Sequence, residues 1–143
     1  ENIKNQILEL QSEIKNKKYT PKLAPETTGK INVFGSIDEI FRLSEETGCA
    51  FCIDFAHILA RYKTYNFEEV LEKFRKHKEL HIHFSGIEYG ERGEKCHKIT
   101  SEEEIKRLLS NLPKNKNIII INESPLPAED SIKALAIYND KLK

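Results

Sequence analysis

The decapeptide CIDFAHILAR, residues 52–61, sets a carboxylate, Asp54, and an imidazole, His57, three residues apart in an otherwise apolar run. Residues of the same chemistry recur along the chain: Glu26 ends KLAPE, His83 sits in LHIHFSG and Glu123 in NIIIINES. Each of these segments reads as a strand, so Glu26, Asp54/His57, His83 and Glu123 stand at the carboxyl ends of four different predicted strands. One such residue would read as a helix cap or a satisfied core hydrogen bond. Four in register are a different matter, because desolvating a lone charge costs several kcal/mol. Carboxylate oxygens and imidazole nitrogens gathered at one rim are the ligand mix that holds zinc or manganese with positions open to water and substrate.

Other residues of this chemistry are weighed against the same standard. His81 is two residues from His83 and shares its strand face, so only one of them reaches the rim. His83 is nearer the end, which leaves His81 as a deeper supporting donor or a buried, hydrogen-bonded residue. His77, between Lys76 and Lys78 at the polar end of a helix, reads as a solvated charge. The stretch SGIEYGERGEKCHKIT is long for a strand-to-helix loop and rich in Gly and charge, as functional loops are. Within it Glu94 and His97 offer a second ligand pair, with Cys96 between them. Cys49, Cys52 and Cys96 are too few and too poorly spaced for a disulfide framework, and CAFC without a second pair reads as buried thiols.

These residues need elements to carry them. Ile3, Ile7, Leu10 and Ile14 predict a helix over residues 2–17, which Pro21 and Pro25 prevent from continuing. A short extended segment then ends at Glu26, and a polar turn spans 27–30. Ser36 with Glu39 forms a capping box opening the next helix, which Gly48 closes. Strands are expected over 50–55, 80–86 and 117–124, with helices over 66–77, over 101–111 opened by a second capping box of Ser101 with Glu104, and over 128–142. The order is a helix followed by βα four times. Near-continuous apolar strands separated by helices predict a parallel sheet buried on both faces. In such folds chemistry sits where strands end and helices begin.

Length and charge bound the rest. A chain of 143 residues and 16.6 kDa suits one domain with a substantial core. Its 23 Lys and Arg balance 23 Asp and Glu, so a polyanionic partner must be met locally rather than by a global field. No apolar run approaches the roughly 20 residues that span a bilayer, and the charged, helical start is unlike a signal peptide, which points to the cytoplasm and no membrane partner.

Taken together, ETTGK with FGSIDEI, CIDFAHILAR, LHIHFSGIEYGERGEKCHKI and NESPLPAEDSIKAL resemble the endonuclease IV family of apurinic/apyrimidinic endonucleases, particularly its archaeal-type members, among the xylose-isomerase-like TIM barrels. The resemblance runs from about residue 20 to the C-terminus. It implies a trinuclear zinc centre, with Mn2+ as an alternative, that cleaves DNA on the 5′ side of an abasic site. By motif, Glu26 would bridge the first two metals, and Asp54, His83 and Glu123 would complete the second. Glu26 and Glu123 are the implied catalytic carboxylates, Glu123 placed to activate water. His57 would serve the third metal, together with Glu94 and His97. The family uses Asp-x-His at that point, whereas this chain has Glu94-Lys95-Cys96-His97, so Cys96 is an alternative to His97.

The resemblance also implies half of a (β/α)8 TIM barrel, with residues 1–143 as its C-terminal half. The two histidines that complete the first metal come from earlier strands and have no counterpart here. An N-terminal half-barrel or a second copy would have to cover the open edge. The absence of an initiator Met suits a fragment of a longer protein, with processing as the alternative; a natural short protein and one subunit of a split enzyme are the other readings. DNA would be gripped by rim cations, with Lys30, Arg61, Lys63, Arg92 and Lys95 as candidates. A sugar isomerase or epimerase of the same superfold and a non-catalytic metal-binding half-barrel are the competing readings.

Overall fold

A computed structural model describes residues 1–141. The elements are α1 (Asn2–Asn16), α2 (Ile37–Thr47), β1 (Ile53–Asp54), α3 (Phe55–Tyr62), α4 (Phe67–Lys73), β2 (Glu79–Phe84), β3 (Gly86–Gly90), β4 (Gly93–Lys98), α5 (Glu102–Asn111), β5 (Asn117–Asn122) and α6 (Pro127–Lys141). The expected last helix extends to residue 142, which lies outside the described residues. Strands β1, β2 and β5 form a parallel sheet in that order, and β3 and β4 pair as an antiparallel hairpin. The architecture is mixed α/β, and among the described residues the sheet does not close on itself.

A fourth lane lies beyond β1. Cys52 N donates to Pro25 O (2.9 Å) and Thr27 N to Cys52 O (3.1 Å), so the backbone around Glu26 runs parallel to β1 as a single bridge. Pro25 has no N–H to extend that ladder, which is why KLAPE does not become the expected full strand. The four lanes therefore follow chain order across the sheet. Their carboxyl ends bring residues 26, 54, 83 and 123 to one rim.

Both predicted capping boxes form: Ser36 with Glu39 opens α2 and Ser101 with Glu104 opens α5. Gly48 ends α2 in the left-handed conformation at φ 67°. Other expectations are corrected. The strand expected over 50–55 stops at Asp54, because the Asp54 carboxylate accepts the His57 N–H (2.8 Å) and starts α3 at once, a helix the sequence reading did not foresee. Helix α4 ends at Lys73 rather than near residue 77. His77 is not a solvated charge. Its ring packs on Phe51, centroids 4.7 Å apart, with Nε2 3.8 Å from Glu45.

The long charged loop is also corrected, since most of it is the β3–β4 hairpin. Its register reads Glu88↔Cys96 and then Tyr89↔Glu94, so Lys95 is an extra, bulged residue. The hairpin packs on α3, where Ala56 and Ala60 meet Ile87. Its tip folds over the turn at 28–31, with Glu94 N donating to Gly29 O (3.2 Å) and Lys30 bridging Gly93. A Cβ on Gly93 would run into the Gly29 carbonyl, so the tip needs a glycine there.

The sheet has one covered face. Ile53, Leu80, Ile82 and Phe84 pack with Ile37, Ile40, Phe55, Phe67, Val70 and Phe74 in the core. The opposite face of β2 carries His81 and His83, and the register sets them beside Ile119 and Ile121 of β5, which are 63% and 44% exposed. Burial on both faces, expected from the apolar strands, therefore fails on this side.

Arg61 shapes the rim. Its guanidinium donates to the carbonyls of Thr28, Lys30, Ile31 and Val33 at 2.7–3.4 Å, closing residues 28–33 around itself. Lys63 likewise donates to Ala60 O and Gly90 O. Both are thus bound to backbone rather than poised for phosphate. Arg61→Met is expected to lower unfolding free energy in urea by about 1.5–3 kcal/mol, the range for hydrogen bonds to a charged group. Arg61→Lys should recover less than half, since a point charge cannot span four carbonyls. A loss under about 0.5 kcal/mol, the scale of an ordinary surface substitution, would contradict this role.

Candidate metal centre

Glu26, Asp54, His83 and Glu123 each offer a ligand atom, and these atoms all lie within 4.8 Å of one another. His83 Nδ1 is 3.2 Å from Glu26 Oε1 and 3.1 Å from Glu123 Oε1. Asp54 is fully buried and Glu123 is the most exposed of the four. Three carboxylates around one imidazole are poor company without a cation.

Asp54 carries the clearest sign. Its Oδ1 caps α3, while Oδ2 is buried with no hydrogen-bond partner. The same chain satisfies a buried carboxylate fully elsewhere: Asp130 accepts from Thr100 N (2.7 Å) and Lys133 Nζ (2.6 Å). There burial, which would raise the pKa, is outweighed by Lys133 and Thr100, and the carboxyl is held down to about 2. At Asp54 burial wins and the pKa is raised. Burial and the neighbouring Asp54 charge also push Glu26 up to about 7. An orphaned, desolvated oxygen inside a ring of carboxylates fits a metal cation.

The other predicted site residues flank this ring. His57 Nδ1 lies 2.9 Å from Thr27 O, an atom that can only accept, so the proton sits on Nδ1. Nε2 then faces Glu94 Oε2 at 3.0 Å. Burial opposes a charge on His57, but Asp54, the Thr27 carbonyl, Glu94 and Glu26 together raise its pKa. His97 is held the same way. Ser85 Oγ donates to Gly86 O (2.9 Å) and lies 2.7 Å from His97 Nδ1, leaving Nε2 turned toward Glu123 at 4.0 Å. Imidazoles fixed through one nitrogen with the other aimed inward are typical of metal-ligating histidines.

The His57 and His97 rings stand 5.3 Å apart, a looser cluster than the four-residue ring. Glu94 and His97, three apart in sequence, reach the same side because the bulge at Lys95 shifts the strand by one residue. Cys96 is exposed and its sulfur lies by Glu88, so the structure brings His97 and not Cys96 to His57.

Sequence reasoning missed the positioning residues. Thr27 is buried, accepts the Asp54 N–H (2.9 Å) and holds His57. Its place next to Glu26 was the available signal, as was the place of Ser85 after HIHF. A second ligand-type cluster, Cys52, His81 and His83, was not foreseen either.

Known proteins add little at this point. An uncharacterized protein of Methanocaldococcus jannaschii, MJ0133, is 34% identical over 154 residues, covering 96% of this chain and 56% of that protein. The chain thus spans about half the length of this curated relative. No family model matches the chain, and no solved structure does. No helix among the described residues is long and apolar enough to cross a membrane.

The raised groups dictate how stability varies with pH. Glu26 moves from 4.5 to about 7, so with metal chelated the folded chain keeps a proton that the unfolded chain releases. The resulting stability is complete below pH 4.5 and is lost as pH rises through about 7. His57, raised from 6.5, acts in the same sense. In chelator, Tm is expected to fall from roughly pH 5 to pH 8, and Glu26→Gln should flatten that slope. Saturating Zn2+ should restore Tm at the alkaline end. A Tm that rises with pH in chelator would contradict the assignment.

Proposed function

We propose that this chain is the metal-bearing half of a phosphodiester hydrolase of the endonuclease IV type, acting at abasic sites in DNA. The observation that carries the reading is the convergence of Glu26, Asp54, His83 and Glu123 from four successive strand ends, with their ligand atoms within 4.8 Å. The flanking His57, Glu94 and His97 favour it over a sugar isomerase, whose rim needs only the central carboxylates and histidine. The extra residue in Glu94-Lys95-Cys96-His97, relative to the family's Asp-x-His, is absorbed by the bulge. In this reading the open sheet is half of a (β/α)8 barrel.

Zinc, with Mn2+ as the alternative, would supply Lewis-acid charge for the phosphate oxygens and lower the pKa of the attacking water. The chain's own residues supply the rest. Glu123, the most solvent-facing of the four, takes the water proton. Glu26, between His83 and His57 at 3.2 and 3.5 Å, joins the two clusters. Thr27 and Ser85 keep Nε2 of His57 and His97 directed inward. With Arg61 and Lys63 bound to backbone, Lys30 and Arg92 on facing segments at the hairpin tip are the cations for DNA phosphates. An abasic nucleotide lacks a base pair on one strand, so its extrusion costs less than flipping a paired base, which provides selectivity.

The partner is an N-terminal half-barrel or a second copy of the chain. Exposed Ile119 and Ile121 on the open face, with Ile132 and Leu135 on α6, are apolar surface of the kind such a partner covers. The region aligned to MJ0133 is 56% of that protein, which leaves length for further strands. The test is a labelled duplex with one abasic site and excess zinc. The chain alone is expected to cleave at least ~100-fold more slowly than the completed barrel, because even loss of outer-shell support costs 10–100-fold. Glu123→Gln should abolish cleavage by the completed barrel. No cleavage by the completed, zinc-loaded barrel, or cleavage that survives Glu123→Gln, would overturn the proposal.

A further inference from the structure

We propose that Cys52, His81 and His83 form a second metal site, of sulfur and nitrogen ligands, one layer beneath the carboxylate rim on the open face of the sheet. Their ligand atoms lie within 4.8 Å of one another. Strand geometry makes the cluster. Side chains two apart share a face, so Cys52 stands below Asp54 and His81 below His83. The register Asp54↔His83 places the two columns side by side, and the His81 and His83 rings are 5.0 Å apart. Cys52 is buried and His81 is half-buried. Cys49, the other thiol of CAFC, is not part of the cluster, so the sheet and not the CxxC spacing assembles it.

The ligand set chooses the ion. A thiolate with two imidazoles suits zinc, or cobalt as its spectroscopic stand-in, over the hard ions that the carboxylate rim also accepts. His83 belongs to both levels. Its Nδ1 faces Glu26 and Glu123, so with the rim empty the ring proton stays on Nδ1 and Nε2 is the nitrogen left for the lower ion. Filling both levels at once would also release that proton to solvent and make His83 a bridging imidazolate. Ligands on bonds of about 2.0–2.3 Å stand roughly 3.5 Å apart, a contraction that side-chain rotation supplies. As the metal–sulfur bond forms with the rim empty, the Cys52 thiol loses its proton to solvent, one proton per ion, and no redox partner is required. On its other side His81 neighbours the exposed Ile119, so the fourth coordination position opens toward the uncovered face.

This inference stands apart from the hydrolase reading, and one titration separates them. The reduced, metal-free chain is titrated with Co2+ without oxygen while the near-ultraviolet thiolate-to-cobalt charge-transfer band is followed. The band is expected to appear, because the carboxylate rim has no sulfur. Cys52→Ser should abolish it, and His81→Asn should weaken cobalt binding at the band by ~10-fold or more. Cys49→Ser and Cys96→Ser should leave it intact. Absence of the band, its survival in Cys52→Ser, or its loss in Cys96→Ser would overturn the proposal. If circular dichroism shows Cys52→Ser unfolded, His81→Phe decides: an undiminished band there is equally fatal. A failed rim reading would show instead in cleavage, with the band unchanged.

Discussion

Asp54 is a carboxylate out of contact with water, and only one of its oxygens is hydrogen-bonded within the protein. Oδ1 starts α3, while Oδ2 makes no hydrogen bond, its neighbour His57 Nδ1 standing 3.5 Å off, although hydrogen bonds cover nearly every buried polar atom in folded proteins. Leaving it so costs several kcal/mol unless a cation arrives or the group stays protonated. Much around it follows from holding that oxygen still. Thr27 bonds the Asp54 backbone and His57, Arg61 ties down residues 28–33, and the hairpin tip locks onto Gly29. Asp130 shows that the chain can neutralise a buried carboxylate with Lys133 when a fixed partner serves. At Asp54 it supplies three other potential ligands instead.

The sheet is built asymmetrically to the same end. One face is packed under helices, while the other is left to carry Cys52, Asp54, His81 and His83. Parallel strands in chain order set residues 26, 54, 83 and 123 at one rim without any long loop to position them. The hairpin then adds Glu94 and His97 from the side, with the Lys95 bulge correcting their phase.

The central residues were legible in the sequence because their signal is local: an apolar run that ends in a ligand-type side chain. The capping boxes at Ser36 and Ser101 were legible for the same reason, each being a hydroxyl and a carboxylate three residues apart. What escaped depends on pairing between distant segments. The β3–β4 hairpin is polar along most of its length, so its alternation gives no apolar signal, and its partners include residues 29–31. Arg61 resembles any surface arginine until the carbonyls that surround it are in place. Cys52 and His81 are 29 positions apart, and only the β1–β2 register makes them neighbours. Helix α3 was hidden because its first residues continue the apolar run of β1.

Anomalous diffraction at the zinc edge, from crystals of the chain grown with zinc, examines the four-residue ring most directly. An ion bound by Glu26, Asp54, His83 and Glu123 predicts a peak about 2 Å from Asp54 Oδ2 and from a ligand atom of the other three, bond lengths normal for zinc. A zinc-bearing crystal with no peak there, or with Asp54 Oδ2 bonded to a protein donor instead, would contradict it.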